Sequence, residues 1–143
     1  MATTFLRRND GWNADPVGPE LQIERDGDDL LVSFDVNAYQ FEPFREGDRA
    51  SIRFRRCWRH RVGPTNDEGW YRGQCRFSRL APQWGEFYEV GGDLKLGQAP
   101  AGWVVAGDEV AGSRHFLFYL KDETFECDAV SFELRLPAVA ASA

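Results

Sequence analysis

Arg114-His115-Phe116-Leu117-Phe118-Tyr119-Leu120-Lys121-Asp122-Glu123-Thr124-Phe125-Glu126-Cys127-Asp128-Ala129-Val130-Ser131-Phe132-Glu133-Leu134 is the stretch whose reading decides the fold class. Phe116 to Leu120 are apolar without a break, as in a strand covered on both faces, and Lys121-Asp122-Glu123 supplies a charged turn. In the next strand Phe125, Cys127 and Ala129 share one face, with Glu126 and Asp128 opposite. From Val130 the apolar parity flips, and Phe132, Leu134 and Leu136 continue the inward set. A period of two cannot change parity without an irregularity, so a β-bulge or sharp bend is expected at Ala129-Val130.

The same alternation extends through much of the chain. Thr3 to Arg8 reads as a short strand. The segment from residue 9 to 19, with two prolines and two glycines in Gly11 to Pro19, reads as an irregular surface loop pinned by Trp12. Leu21 and Ile23, a turn at Asp26-Gly27-Asp28, and then Leu30, Val32, Phe34 and Val36 form the clearest hairpin. Arg49 to Val62 reads as one strand with Ala50, Ile52, Phe54, Trp58 and His60 on one side. Trp70 to Leu80 reads as another, with Tyr71, Cys75 and Phe77 inward. Gly91-Gly92-Asp93 is a tight-turn signal, and Trp103-Val104-Val105 suits a short strand or a buried plug. The tail from residue 137 to 143 is expected to fray.

These segments predict one all-β domain over residues 1–143, an antiparallel sandwich of about eight or nine strands. The parity flip suits a strand that bends between two packed sheets. A closed antiparallel barrel with an interior cavity is the alternative. Composition agrees, because 11 Phe, 5 Trp and 4 Tyr favour strands over helices. No apolar run reaches the ~20 residues of a membrane helix, and no signal peptide is read at the start. Three cysteines at wide spacing, Cys57, Cys75 and Cys127, argue against a disulfide scaffold and for unpaired thiols in a cytoplasmic protein.

Asn66-Asp67-Glu68-Gly69-Trp70 and His115 to Cys127 are similar to stretches of small uncharacterised bacterial proteins. That resemblance covers about a quarter of the chain, judged as a short-motif match. It implies a bacterial origin, and no activity comes with it.

Two candidate sites emerge. Arg45, Arg49, Arg53, Arg55, Arg56, Arg59, Arg61, Arg72, Arg76 and Arg79 lie between residues 45 and 79 against four acids, which gives that segment +6 in a chain of net charge −6. If the strands there pair, Arg53, Arg55, Arg59 and Arg61 share a face with Arg72 and Arg76, and that face can hold phosphate or carboxylate groups. The competing reading is cross-strand neutralisation by Glu24, Asp35, Glu126, Asp128 and Glu133. An acidic chain argues against a nucleic-acid partner.

The second candidate is the loop Pro64 to Trp70 with its flanks. His60, Asn66, Asp67, Glu68, Trp70 and Tyr71 can coordinate a cation or hydrogen-bond a sugar against an indole face, and Arg53 and Arg72 extend that surface. Ordinary turn chemistry is the competing account, because Thr65-x-x-Glu68 has capping-box spacing.

Catalytic signals are sparse. Neither histidine has metal-ligand spacing, and Cys57 and His60, three apart, fall on opposite faces of a straight strand. No catalytic residue, metal site or cofactor is predicted. The expected function is a non-enzymatic binding or interaction domain for a partner protein or a small anionic or sugar-like ligand. The alternative is a small hydrolase or isomerase with its site in a barrel mouth.

Overall fold

Backbone groups in strands need ladder partners, and the alternating segments find them in two antiparallel sheets. The computed structural model describes residues 3–63, 71–72, 77, 83, 85–92, 102–121 and 123–137. Among these are ten strands: β1 (Thr4–Arg7), β2 (Gln22–Asp26), β3 (Asp29–Asp35), β4 (Arg49–Arg55), β5 (Arg59–Gly63), β6 (Phe87–Gly91), β7 (Val104–Val105), β8 (Arg114–Tyr119), β9 (Thr124–Ala129) and β10 (Ser131–Arg135). A six-stranded sheet runs β1-β6-β8-β9-β5-β7, and a four-stranded sheet runs β10-β4-β3-β2. Both sheets are open, so the architecture is a sandwich and the barrel does not form.

The β2–β3 hairpin closes on Gly27-Asp28 between the paired Asp26 and Asp29. Gly27 has φ 59°, and a glycine at the first central position is what a II′-type loop requires. Leu30, Val32 and Phe34 of β3 and Ala50, Ile52 and Phe54 of β4 are buried in alternation with half-buried neighbours.

The expected bend is present. β9 belongs to the six-stranded sheet, β10 to the four-stranded sheet, and Val130 is the bend between them. The partner strand turns at the same place. Arg49 to Val62 is therefore not one straight strand: β4 pairs with β10, and β5 pairs with β9. Arg55 faces Ser131 and Arg59 faces Asp128, so Arg56-Cys57-Trp58 lie opposite only Ala129-Val130. One extra residue on one strand is a bulge, which bends and twists the ribbon. Val130 N donates to Arg55 O at 2.9 Å and Trp58 N to Asp128 O at 3.1 Å, which keeps the two strands bonded through the corner. Arg56 takes φ 51°, a left-handed conformation costing a non-glycine residue about 1–2 kcal/mol. Three bonds from the β2–β3 turn hold it: Arg56 N to Asp29 Oδ1 (3.0 Å), Cys57 N to Asp28 O (2.9 Å) and Arg25 Nη1 to Cys57 O (2.6 Å).

Between the sheets the core is aromatic. Phe34 meets Phe118 edge-on at 5.1 Å, Phe87 meets Phe132 at 5.2 Å, and Trp12 stacks on Phe34 at 5.6 Å, which pins the N-terminal loop as its sequence suggests. Each such pair adds about 0.5–1.5 kcal/mol beyond burial. A second cluster, Phe77, Tyr88, Val90, Leu117 and Tyr119 with Phe5 against it, covers the other face of the six-stranded sheet. That cover explains why Phe116 to Leu120 are apolar without alternation. The expected strand from Trp70 to Leu80 falls mostly outside the described residues. Within it Phe77 is buried, but Tyr71 is 63% exposed rather than inward.

Phe118 is fully buried between Phe34, Phe87 and Trp12. Phe118→Ala is expected to cost about 3–5 kcal/mol. Denaturant unfolding measures this, and an unchanged midpoint would remove β8 from the centre of the fold.

Candidate functional site

The corner divides the arginine stripe. Arg53 and Arg55 lie on the outer face of the four-stranded sheet, and Arg59 and Arg61 on the outer face of the six-stranded sheet, so they do not form one surface. Acids neutralise them as the competing reading expects. Arg53 bonds Asp26 at 2.8 Å and Asp29 at 3.2 Å, Arg55 bonds Asp29 at 2.9 Å and Glu133 at 2.9 Å, and Arg49 bonds Asp35 at 2.7 Å.

The other singled-out residues are dispersed. Asn66, Asp67, Glu68 and Trp70 lie outside the described residues; Tyr71 and Arg72 are exposed. His60 lies in β5 opposite Cys127, its ring 6.4 Å from that of Phe125. The bulge brings Cys57 inward as well, so the expectation that Cys57 and His60 face opposite ways fails because the strand between them is not straight.

Glu126 and Asp128 are not solvated. Their exposures are 0% and 6%, because the outer face of β9 is covered like that of β8. Between them lies His115, 3% exposed: Nδ1 is 2.9 Å from Asp128 Oδ1, and Nε2 is 3.0 Å from Glu126 Oε2. It pairs in register with Asp128 and so faces away from Cys127. Arg59 Nε donates to Asp128 Oδ2 at 2.6 Å, and its guanidinium stacks 4.1 Å above the Trp103 ring and 4.6 Å above that of Trp58.

Only imidazolium can donate from both nitrogens. Burial opposes that charged form, but hydrogen bonds and charge from Asp128 and Glu126 outweigh it, and the His115 pKa is raised. Burial likewise opposes ionisation of Asp128, yet His115 and Arg59 hold its pKa below the ordinary value. With both nitrogens committed, His115 has no lone pair for general-base work. The cluster holds β5, β8 and β9 together.

A different site opens at the corner itself. A concavity of about 230 Å³ lies between the β2–β3 turn, the bulge and the loop from Ala106 to Val110. Arg25, Arg56, Cys57, Trp58, Asp28 and Asp108 line it. Ala106 N donates to Trp58 O at 2.8 Å and Trp58 Nε1 to Ser113 Oγ at 3.0 Å, which fixes the loop wall. Arg25 donates to two backbone carbonyls, those of Cys57 and Asp28, and its Nη2 is buried without a hydrogen-bond partner. Among the described residues no carboxylate pairs with Arg25 or Arg56, unlike Arg8, Arg49, Arg53, Arg55, Arg59 and Arg114. The sequence hid this pocket because a bulge was needed to assemble it.

Behind Cys57 lies Cys127, and both thiols are free. Burial, with the charge of Arg25, lowers the His60 pKa. Among the described residues no group of three His, Cys, Asp or Glu side chains is arranged to hold a metal ion, and no helix is long and apolar enough to cross a membrane. Compared with family models, with curated proteins and with solved structures, the chain matches none.

The ionic cluster sets a pH window. His115 has a pKa raised above 6.5, so the stability it contributes is complete below that value and is lost as pH rises through the folded-state pKa. Asp128 has a pKa lowered below 3.8, so its contribution is present above that value and is lost as pH falls through the folded-state pKa. His115→Gln should cost about 3–5 kcal/mol near neutral pH, because two buried carboxylates lose their shared cation. It should also abolish the alkaline decline seen in chemical denaturation of the wild type. A wild-type stability that does not fall above neutrality would refute the imidazolium assignment.

Proposed function

We propose that this domain is a binding module for a small hydroxylated anion, a carboxylate or phosphate, held in the corner pocket. The observation that carries the reading is the pair of guanidinium residues, Arg25 and Arg56, in the lining of one concavity, neither of them paired with a carboxylate among the described residues. Arg56 supplies a second guanidinium free of carboxylates, and two such groups suit bidentate recognition. Asp28 and Asp108 also line the pocket, where their carboxylates accept hydrogen bonds from hydroxyl groups and disfavour an anion that lacks them.

The volume suits a molecule smaller than the usual 300–1,000 Å³ drug-sized site. A nucleic-acid role fits poorly, because Arg53, Arg55 and Arg59 are all spent on carboxylates in a chain of net charge −6. Free thiols in the core suit the cytoplasmic compartment expected from the sequence.

Calorimetric titration with gluconate, glucuronate and inorganic phosphate, with glucose as the neutral control, tests the proposal. A hydroxylated anion should bind, more weakly as salt is raised. Arg56→Asn, which tolerates the positive φ, should weaken binding by roughly tenfold or more with little change in melting temperature. Arg25→Met should weaken it similarly while keeping the apolar stem. Binding of glucose as strongly as gluconate, or an Arg56→Asn protein that binds like the wild type, would exclude the corner as an anion site.

A further inference from the structure

Two thiols meet behind the corner pocket, and nothing in the ionic cluster or the anion reading uses them. Cys57 sits on the bulge and lines the pocket, while Cys127 is fully buried in β9 beneath it. Both belong to one core cluster, each thiol influences the other's ionisation, and they are not joined as a disulfide. Cys57 Sγ also lies 3.4 Å from Arg59 O, and Arg25 is bonded to the Cys57 carbonyl at 2.6 Å. The arrangement thus gives one thiol in a residue of the pocket lining, a cation beside it and a more deeply buried thiol in the same core cluster.

We propose that Cys57 and Cys127 form a redox-active dithiol, which a hydroperoxide entering the corner pocket oxidises to an intramolecular disulfide. In the first step the Cys57 thiolate attacks the terminal peroxide oxygen. The S–O bond forms, the O–O bond breaks, and the departing alkoxide takes a proton and leaves as the alcohol; sulfur loses two electrons and the peroxide gains them. In the second step Cys127 sulfur attacks the Cys57 sulfenic acid. The S–S bond forms, the S–O bond breaks, and hydroxide leaves as water with the Cys127 proton. Two thiols and one hydroperoxide give one disulfide, one alcohol and one water.

The division of labour follows from the surroundings. The hydrogen bond from Cys127 lowers the Cys57 pKa below 9.0 against the opposing effect of burial, and the charge of Arg25 and a backbone hydrogen bond at Arg59 add to the lowering. Burial first, and then the neighbouring thiol, push Cys127 far up, so it stays a protonated thiol until the sulfenic acid forms beside it. Cys57 belongs to the pocket lining and Cys127 does not, so the reagent meets Cys57 first.

The test uses the full chain with Cys75→Ser, which leaves two thiols, treated with one equivalent of hydrogen peroxide. Both thiols should disappear in a denatured thiol assay, the mass should fall by two hydrogens, and dithiothreitol should restore both. Peptide mapping of the oxidised wild-type chain should recover Cys57 linked to Cys127 and serves if the Cys75 variant folds poorly. Cys127→Ala should stop at a Cys57 sulfenic acid trapped by dimedone, whereas Cys57→Ser should lose reactivity at least tenfold. Two surviving thiols, a Cys57 sulfinic acid beside a free Cys127, or a Cys57→Ser protein oxidised as fast as its parent would each overturn the proposal. None of these readouts depends on whether the pocket also binds a hydroxylated anion.

Discussion

A ribbon of two long strands must serve both sheets, and the ladder between them stays bonded through the bend because one strand carries one more residue than the other. Arg56-Cys57-Trp58 against Ala129-Val130 is that difference. With equal numbers the pair would continue straight in one sheet, and the inward residues of β10 would not meet those of β8. Phe116 touches Phe132 at 5.4 Å only because the strand turns at Val130. The aromatic core, the separation of the arginines and the pocket all follow from this irregularity.

Asp29 is the residue on which the corner leans. Its carboxylate accepts from the Arg56 backbone, from Arg53 and from Arg55, so one side chain stabilises a left-handed residue and two guanidinium groups together. Burial opposes its ionisation, but these donors outweigh that effect and lower its pKa. On the other sheet His115 ties β8 to β9 and Arg59 ties β5 to the same Asp128, with charge replacing the apolar contacts that Leu117 and Tyr119 make. Covering both faces of β8 and β9 is what places these groups out of water, and burial makes each ion pair costly to break.

The fold was largely legible, because alternation and parity are direct consequences of strand geometry. Inward positions Ala129 and Phe132 are three apart, an odd step that exposes the bend between β9 and β10. The partner strand concealed the same bend: Phe54, Cys57 and His60 are successively three apart, two odd steps restore the original parity, and the sequence reads as one continuous strand. From that concealment came the misplaced thiol and the stripe drawn as a single face. The burial of Glu126 and Asp128 was hidden for a different reason. Their alternation was correct, but the uninterrupted apolar run in β8 already implied that the outer face is covered, and the same cover extends over β9. Asn66, Asp67, Glu68 and Trp70 fall outside the described residues, so the corner is the site that geometry brings forward.

A bulge is also where a sheet can present chemistry, since its extra residue leaves the ladder and re-aims what lies beside it. Here the freed positions carry a guanidinium, a thiol and an indole, and their backbone is tied to the β2–β3 turn by three hydrogen bonds. Arg25 stands at the crossing of these constraints. It supports the bulge by donating to the Cys57 carbonyl, lowers the pKa of the Cys57 thiol by its charge, and keeps one buried donor unspent. Had stability alone shaped the position, a carboxylate partner would have neutralised that donor, as Asp128 does for Arg59 just beyond the bulge. The unneutralised cation is therefore a local cost that the corner tolerates, and it is one of the features on which the proposed anion site rests.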